Sequence, residues 1–348
     1  MSNLNRFAAV STKALAMEGQ LLNDEDYINL LSRDNVSGIA SYLKNNTHFA
    51  SVLHGIDGGS IHRSQLEVLL KRSHVGGISK MVHYFSDSYK AFYKTMFIRY
   101  EIEDLKTIAK GIKAGNDNMA IKDSLAFLGY FSSFNMTGLL SSKSLLDFIT
   151  NLKGTIYYNY LRPIEENRKY TGFFNIEMTL DLAFFDIFYK NLSRIDKNNI
   201  SIIKSYLDAY VDLLNIQWIY RGLKFYGLPR ELLFNYTISH GRIFDSDYIK
   251  RLCYSRSLEE FREIVRNTKY SFLFHMESQE GIFMERRILR YLYYNLKRIK
   301  VKSGMNMSQP LVYILLSEIE IRDIISVIES IRYGMQIDEA KKYLIRKL

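Results

Sequence analysis

The sequence predicts an all-α fold: three similar helical subdomains arranged with pseudo-threefold symmetry around a central cavity. Three observations carry that expectation. Apolar residues recur at three- and four-residue steps almost everywhere, as in Phe184, Phe185, Phe188 and Leu192, while alternation sustained over five or more residues is scarce. Only three prolines, Pro163, Pro229 and Pro310, interrupt 348 residues, and glycine is sparse. The third observation is that the chain repeats itself.

The clearest repeat pairs "EIEDLKTIAKG", starting at Glu101, with "DLLNIQWIYRG", starting at Asp212. Both have an acid first, Asp or Asn fourth, Leu or Ile fifth, Ile eighth, a base tenth and Gly eleventh. A third copy, "EIRDIISVIES" from Glu320, keeps Asp323, Ile324 and Val327 but has Glu329 and Ser330 where the others have the base and the glycine. The copies start 111 and 108 residues apart. A second pattern, "YKNLSRI" (Tyr189 to Ile195), returns 104 residues later as "YYNLKRI" (Tyr293 to Ile299). A third ends at Thr47, Thr155 and Thr268 ("NVSGIASYLKNNT", "KSLLDFITNLKGT", "RSLEEFREIVRNT"), at spacings of 108 and 113. Unrelated patterns agreeing on one interval divide the chain into helical repeats at residues 1–115, 116–227 and 228–348. The seams fall near Gly115 to Asn118 and Tyr226 to Arg230, where Gly, Asn, Asp and Pro favour turns. Three such units can close about an axis rather than stack in an open array.

Positions one, four, five and eight of the first pattern lie on one helical stripe, so Glu101 and Asp104 share a face with Leu105 and Ile108. A carboxylate among core residues must be paired or hydrogen bonded, because an unpaired buried charge is costly. Arg99, Lys110 and Arg221 are the candidate partners, and pairing between helices is the leading role for these residues. Gly111 and Gly222 are expected to end their helices or to allow close packing.

Composition narrows the function. Hydrophobic residues make up 47% and charged residues 24%, which suits a folded protein. The single cysteine, Cys253, allows no intrachain disulfide and no leader opens the sequence, so a reducing, cytoplasmic setting is expected. The longest uncharged stretch, residues 124–142, is interrupted by serines, Asn135 and Thr137, and reads as a buried helix and a turn rather than a membrane span. With 47 basic against 37 acidic residues the net charge is +10, which suits an anionic neighbour. The basic residues concentrate in "RRILRYLYYNLKRIKVK", where Arg286, Arg287, Arg290, Lys297, Arg298, Lys300 and Lys302 are expected on the wet face of an amphipathic helix. Nucleic-acid binding, salt-dependent and phosphate-led, is the alternative that segment offers.

Catalytic signatures are missing. No glycine precedes a lysine, which excludes the standard Walker A loop. "HGIDGGSIH" (His54 to His62) has neither dinucleotide spacing nor a complete serine-hydrolase elbow, and reads as a loop. The histidines, His48, His54, His62, His74, His83, His240 and His275, form no HExxH pair and have no cysteine pair beside them, so no metal or cofactor is expected. Adjacent acids such as Glu165 and Glu166, or Glu259 and Glu260, diverge on a helix and do not face one substrate. An enzyme assembled from distant residues is the least favoured reading.

The segments "YEIEDLKTIAKGI", "DLAFFDIFYKNL", "YVDLLNIQWIYRG" and "LSEIEIRDIISVIESIRYGM", in that order and spacing, resemble the C subunit of rotary V/A-type ATPases and ATP synthases, counterpart of the eukaryotic d subunit. The resemblance covers essentially the whole chain. It implies an all-helical funnel, without catalytic groups or cofactor, between the central axle of the ATPase head and the membrane proteolipid ring. Its partners would be the D- and F-type axle subunits and that ring, with one copy per complex, peripheral on the cytoplasmic face, serving proton or sodium transport. Residues of the repeated motif, Glu101, Asp104, Asp212, Asn215, Glu320 and Asp323, with Arg99 and Arg221, are then the candidates for the cavity wall or an interface.

Overall fold

A computed structural model describes residues 3–56, 61–127, 134–167, 171–239, 241, 245–274, 280–302 and 304–348. The chain is 76% helical and has no strand among the described residues, as the all-α expectation requires. It forms two compact units. The middle unit comprises Gly19–Asp196 and Ile328–Gly334; the terminal unit comprises Met1–Glu18, Lys197–Val327 and Met335–Leu348.

The middle unit contains α2 (Asp24–Leu31), α3 (Val36–Asn46), α4 (Ala50–Leu53), α5 (Arg63–Val82), α6 (Asp87–Ala114), α7 (Asn118–Asp123), α8 (Met136–Leu140), α9 (Leu145–Thr150), α10 (Ile156–Glu166) and α11 (Phe173–Leu192). The terminal unit contains α1 (Asn3–Glu18), α12 (Lys197–Arg221), α13 (Arg230–Asn235), α14 (Ser246–Cys253), α15 (Leu258–Arg266), α16 (Glu280–Lys302) and α18 (Ile337–Tyr343). The long helix α17 (Ser308–Arg332) lies in the terminal unit up to Val327.

In the middle unit, α6 packs along α11, and Lys106 ties them by reaching Asp181 at 3.0 Å and Glu177 at 3.4 Å. Their shared core runs from Leu105 and Ile108 through Ile121, Leu139, Phe148, Tyr157 and Leu161 to Ile176 and Leu180. The 115/116 seam of the sequence repeat lies inside this core. In the terminal unit, α12 packs along α16, and Lys300 anchors α1 through Glu18 at 2.6 Å.

Local chemistry explains why the helices stop where they do. Helix α6 ends in a left-handed Gly115 (φ 70°), with Asn116 N–H donating to Gly111 C=O at 3.0 Å. Ser144 and Ser257 cap α9 and α15 by accepting from Asp147 N–H and Glu260 N–H, each at 3.1 Å. At the far end of the same repeated segment, Thr155 and Thr268 each donate to the carbonyl three residues back at 2.7 Å. The pattern ending in threonine is therefore a capped helix with its stop. Of the uncharged stretch 124–142, residues 128–133 lie outside the described residues; the rest is a turn and the short α8, with Leu139 and Leu140 buried. No helix among the described residues is long and apolar enough to cross a membrane.

Candidate functional site

The three motif helices α6, α12 and α17 carry their acids inward. Glu101, Asp104, Asp212, Asn215, Glu320 and Asp323 are all buried, Arg99 is half-buried and Arg221 is exposed. At position one, Tyr157 O–H donates to Glu101 Oε2, and Tyr270 O–H donates to Asp212 Oδ2 at 2.6 Å. The tyrosines stand two residues after Thr155 and Thr268; the remaining copy of that segment has Phe49, which offers no hydroxyl. Burial raises the Glu101 carboxyl to about 7, although the Tyr157 bond pulls it down. The same burial and the neighbouring carboxylate push Tyr157 far above the usual phenol range.

Position four grips backbone. Asp104 Oδ1 and Oδ2 accept from Ala126 N–H and Phe127 N–H, both at 2.9 Å. Asp323 accepts from Ile345 N–H at 2.6 Å and Arg346 N–H at 3.3 Å. Asn215 accepts from Ile238 N–H at 2.9 Å and donates to Ile238 C=O at 2.8 Å. Each latch closes the same hairpin of motif helix, left-handed glycine (Gly115, Gly227, Gly334), short helix and gripped turn. The glycines follow position four by eleven, twelve and eleven residues, and the gripped N–H follows by 22, 23 and 22. The extra residue in the second copy is absorbed by a π-helical turn, Gly222–Tyr226, the usual home of a one-residue insertion in a helix.

Tyrosine hydroxyls and backbone N–H groups make these bonds. Local periodicity could place the acids on a stripe, but their partners come from 22 to 58 residues away. The one signal for them was that these offsets recur between copies. Gly111 and Gly222 serve close packing: a Cβ on Gly111 would sit 2.6 Å from Ile121 Cδ1, and one on Gly222 would overlap Leu233. Gly111 lies within α6, while at Gly222 the α-helix α12 passes into the π turn; Gly115, Gly227 and Gly334 make the left-handed turn, including in the third copy, where Ser330 replaces the motif glycine.

The basic segment corrects another expectation. Arg286, Arg287 and Arg290 of α16 do not lie on a fully wet face. Arg290 Nη2 donates to Leu344 C=O at 2.7 Å and to Lys342 C=O at 2.9 Å, and Arg287 donates to Leu273 C=O at 2.5 Å. Arg286 stacks over Tyr343, and burial lowers its guanidinium to about 10. Lys297 and Arg298 are exposed, and the side chain of Lys302 lies outside the described residues. Cations committed to carbonyls are poor phosphate ligands. His240 and His275, and residues 57–60 of the glycine-rich segment, also lie outside the described residues; among those described, no three His, Cys, Asp or Glu side chains gather as a metal site.

Helices joined by internal latches, with Glu101, Asp104, Asp212 and Asp323 bonded to tyrosine or backbone, define a helical scaffold. The sequence model of the ATP synthase (C/AC39) subunit family matches residues 10–343, and the chain belongs to that family. It is 22% identical over 346 residues to the A-type ATP synthase C subunit of Halorubrum lacusprofundi, covering 97% of this chain and 96% of that one. It is 22% identical over 242 residues to the A-type C subunit of Methanococcoides burtonii, covering 68% and 64% of the two chains. Against the A-type C subunit of Methanothermobacter thermautotrophicus it is 23% identical over 237 residues, covering 68% and 59%. These relatives lend no support to nucleic-acid binding.

Proposed function

We propose that the protein is the central-stalk C subunit of a V/A-type rotary ATPase, a non-catalytic coupler between the axle of the ATPase head and the membrane proteolipid ring. The observation that carries this reading is the family match across residues 10–343, joined by a full-length relative named as an A-type C subunit. On this reading three helical repeats surround a socket for the D- and F-type axle subunits, and the base rests on the cytoplasmic side of the ring.

A part that passes torque must hold its shape under load, and a latch repeated on each motif helix supplies stiffness where each long helix turns back. Buried charge-assisted bonds to backbone N–H contribute about 1.5–3 kcal/mol each. We assign the six buried motif residues to that internal role and leave Arg99 and Arg221 as contact candidates. Phe225, Tyr226 and Tyr333 are 56%, 60% and 66% exposed beside Lys224 and Arg332, a composition that suits protein interfaces.

The test is affinity purification of the tagged chain from its own membranes under mild detergent. Axle and ring subunits should copurify in fixed ratio. Recovery of the chain without either would overturn the proposal.

A further inference from the structure

We infer that the choice between aspartate and asparagine at the fourth motif position is set by charge pairing across a single peptide group. In the first copy, Arg72 of α5 donates to Leu125 C=O through Nε at 3.2 Å and Nη2 at 2.9 Å. The N–H of that same peptide, on Ala126, is held by Asp104. In the third copy, Arg290 of α16 donates to Leu344 C=O through Nε at 3.1 Å and Nη2 at 2.7 Å, and the N–H of that peptide, on Ile345, is held by Asp323. Two helices in corresponding places, each just before its motif helix, thus clamp one peptide between a guanidinium and a carboxylate.

The arrangement has a simple electrostatic logic. A trans peptide presents C=O and N–H on opposite edges, so a cation at the oxygen and an anion at the N–H both align with its dipole and strengthen each other's bond. Each half-buried arginine also offsets part of the burial cost of its buried carboxylate. Burial holds the Asp323 carboxyl up at about 6 even with two N–H bonds and Arg286 drawing it down, so a carboxylate there needs its cations.

The second copy is the informative exception. The helix before its motif, α11, contains no arginine; its one cation, Lys190, lies near the far end. There the fourth position is Asn215, which is neutral and uses both ends of its amide on Ile238. The amide accepts from the N–H of one peptide and donates to the C=O of the next, so it holds the turn by a neutral side chain with no charge left to compensate. The third clamp also defines the last described turn of the chain, residues 344–346, as a strap held from two helices.

The experiment is a double-mutant cycle on the full chain, read by thermal unfolding: Arg72→Met, Asp104→Asn, and both together. Arg72→Met strands a buried carboxylate and should lower Tm by several degrees. Adding Asp104→Asn leaves a neutral amide at the fourth position, as in the second copy, and should recover a clear part of that loss. Arg72→Lys, which keeps the charge, should lose less than Arg72→Met and gain nothing from Asp104→Asn. Should Arg72→Met fail to fold, recovery of soluble, helical protein in the double variant carries the same conclusion. Additive losses, or a double variant no better folded than Arg72→Met, would overturn the inference. The readout is the chain alone, so it stands or falls apart from the proposed role in the ATPase.

Discussion

At the residue scale, Glu101 is where burial and charge are most at odds. Its Oε2 accepts from Tyr157, while its Oε1 has no hydrogen-bond partner among the described residues and Asp104 adds a like charge nearby. A folded-state carboxyl raised from 4.5 to about 7 binds its proton more tightly than the unfolded chain does. Its contribution is therefore fully present below the unfolded value and is lost as pH rises through about 7, a change of roughly 3 kcal/mol. Glu101→Gln should flatten that slope, with Tm measured from about pH 4 to pH 8; an unchanged slope would contradict the assignment. The stripe holding Glu101 and Asp104 was legible because helical periodicity is local. Tyr157 was not, because nothing within one turn of a helix says which residue 56 positions away will meet it.

At the scale of elements, the π turn after α12 explains how a repeat with one extra residue keeps its latch. Widening one turn lets Gly227 and Ile238 reach the same stations as Gly115 and Ala126. Its first residue, Gly222, packs against Leu233 too closely for a side chain. Gly222→Ala should then cost about 1–3 kcal/mol in urea unfolding, from overpacking. A variant as stable as the parent would show that α13 yields freely. The helix stops were legible at Gly115 and near Pro229, since turn residues act locally. The phase of the packing was not: the core from Leu105 to Leu180 crosses the seam the sequence suggested, because a repeat fixes a period and leaves open where each bundle begins. The inward turn of Arg286, Arg287 and Arg290 was hidden for a related reason. The carbonyl partners of Arg287 and Arg290 belong to segments with no distinctive sequence.

At the scale of the whole molecule, the all-helical class and the family could both be read from order and spacing, because three weak patterns shared one interval and together resembled one family. The terminal unit draws on both ends of the chain, α1 with α12–α16, most of α17 and α18, an arrangement no linear division of the sequence conveys. The chain belongs to the ATP synthase (C/AC39) subunit family, and the proposed coupling role rests on that match. The most direct measurement compares membranes carrying the ATPase with and without this chain, following ATP hydrolysis and ion pumping together. The account predicts that hydrolysis by the head persists without the chain while pumping fails, and that adding the purified protein restores it. Pumping at the normal rate in its absence would contradict the account.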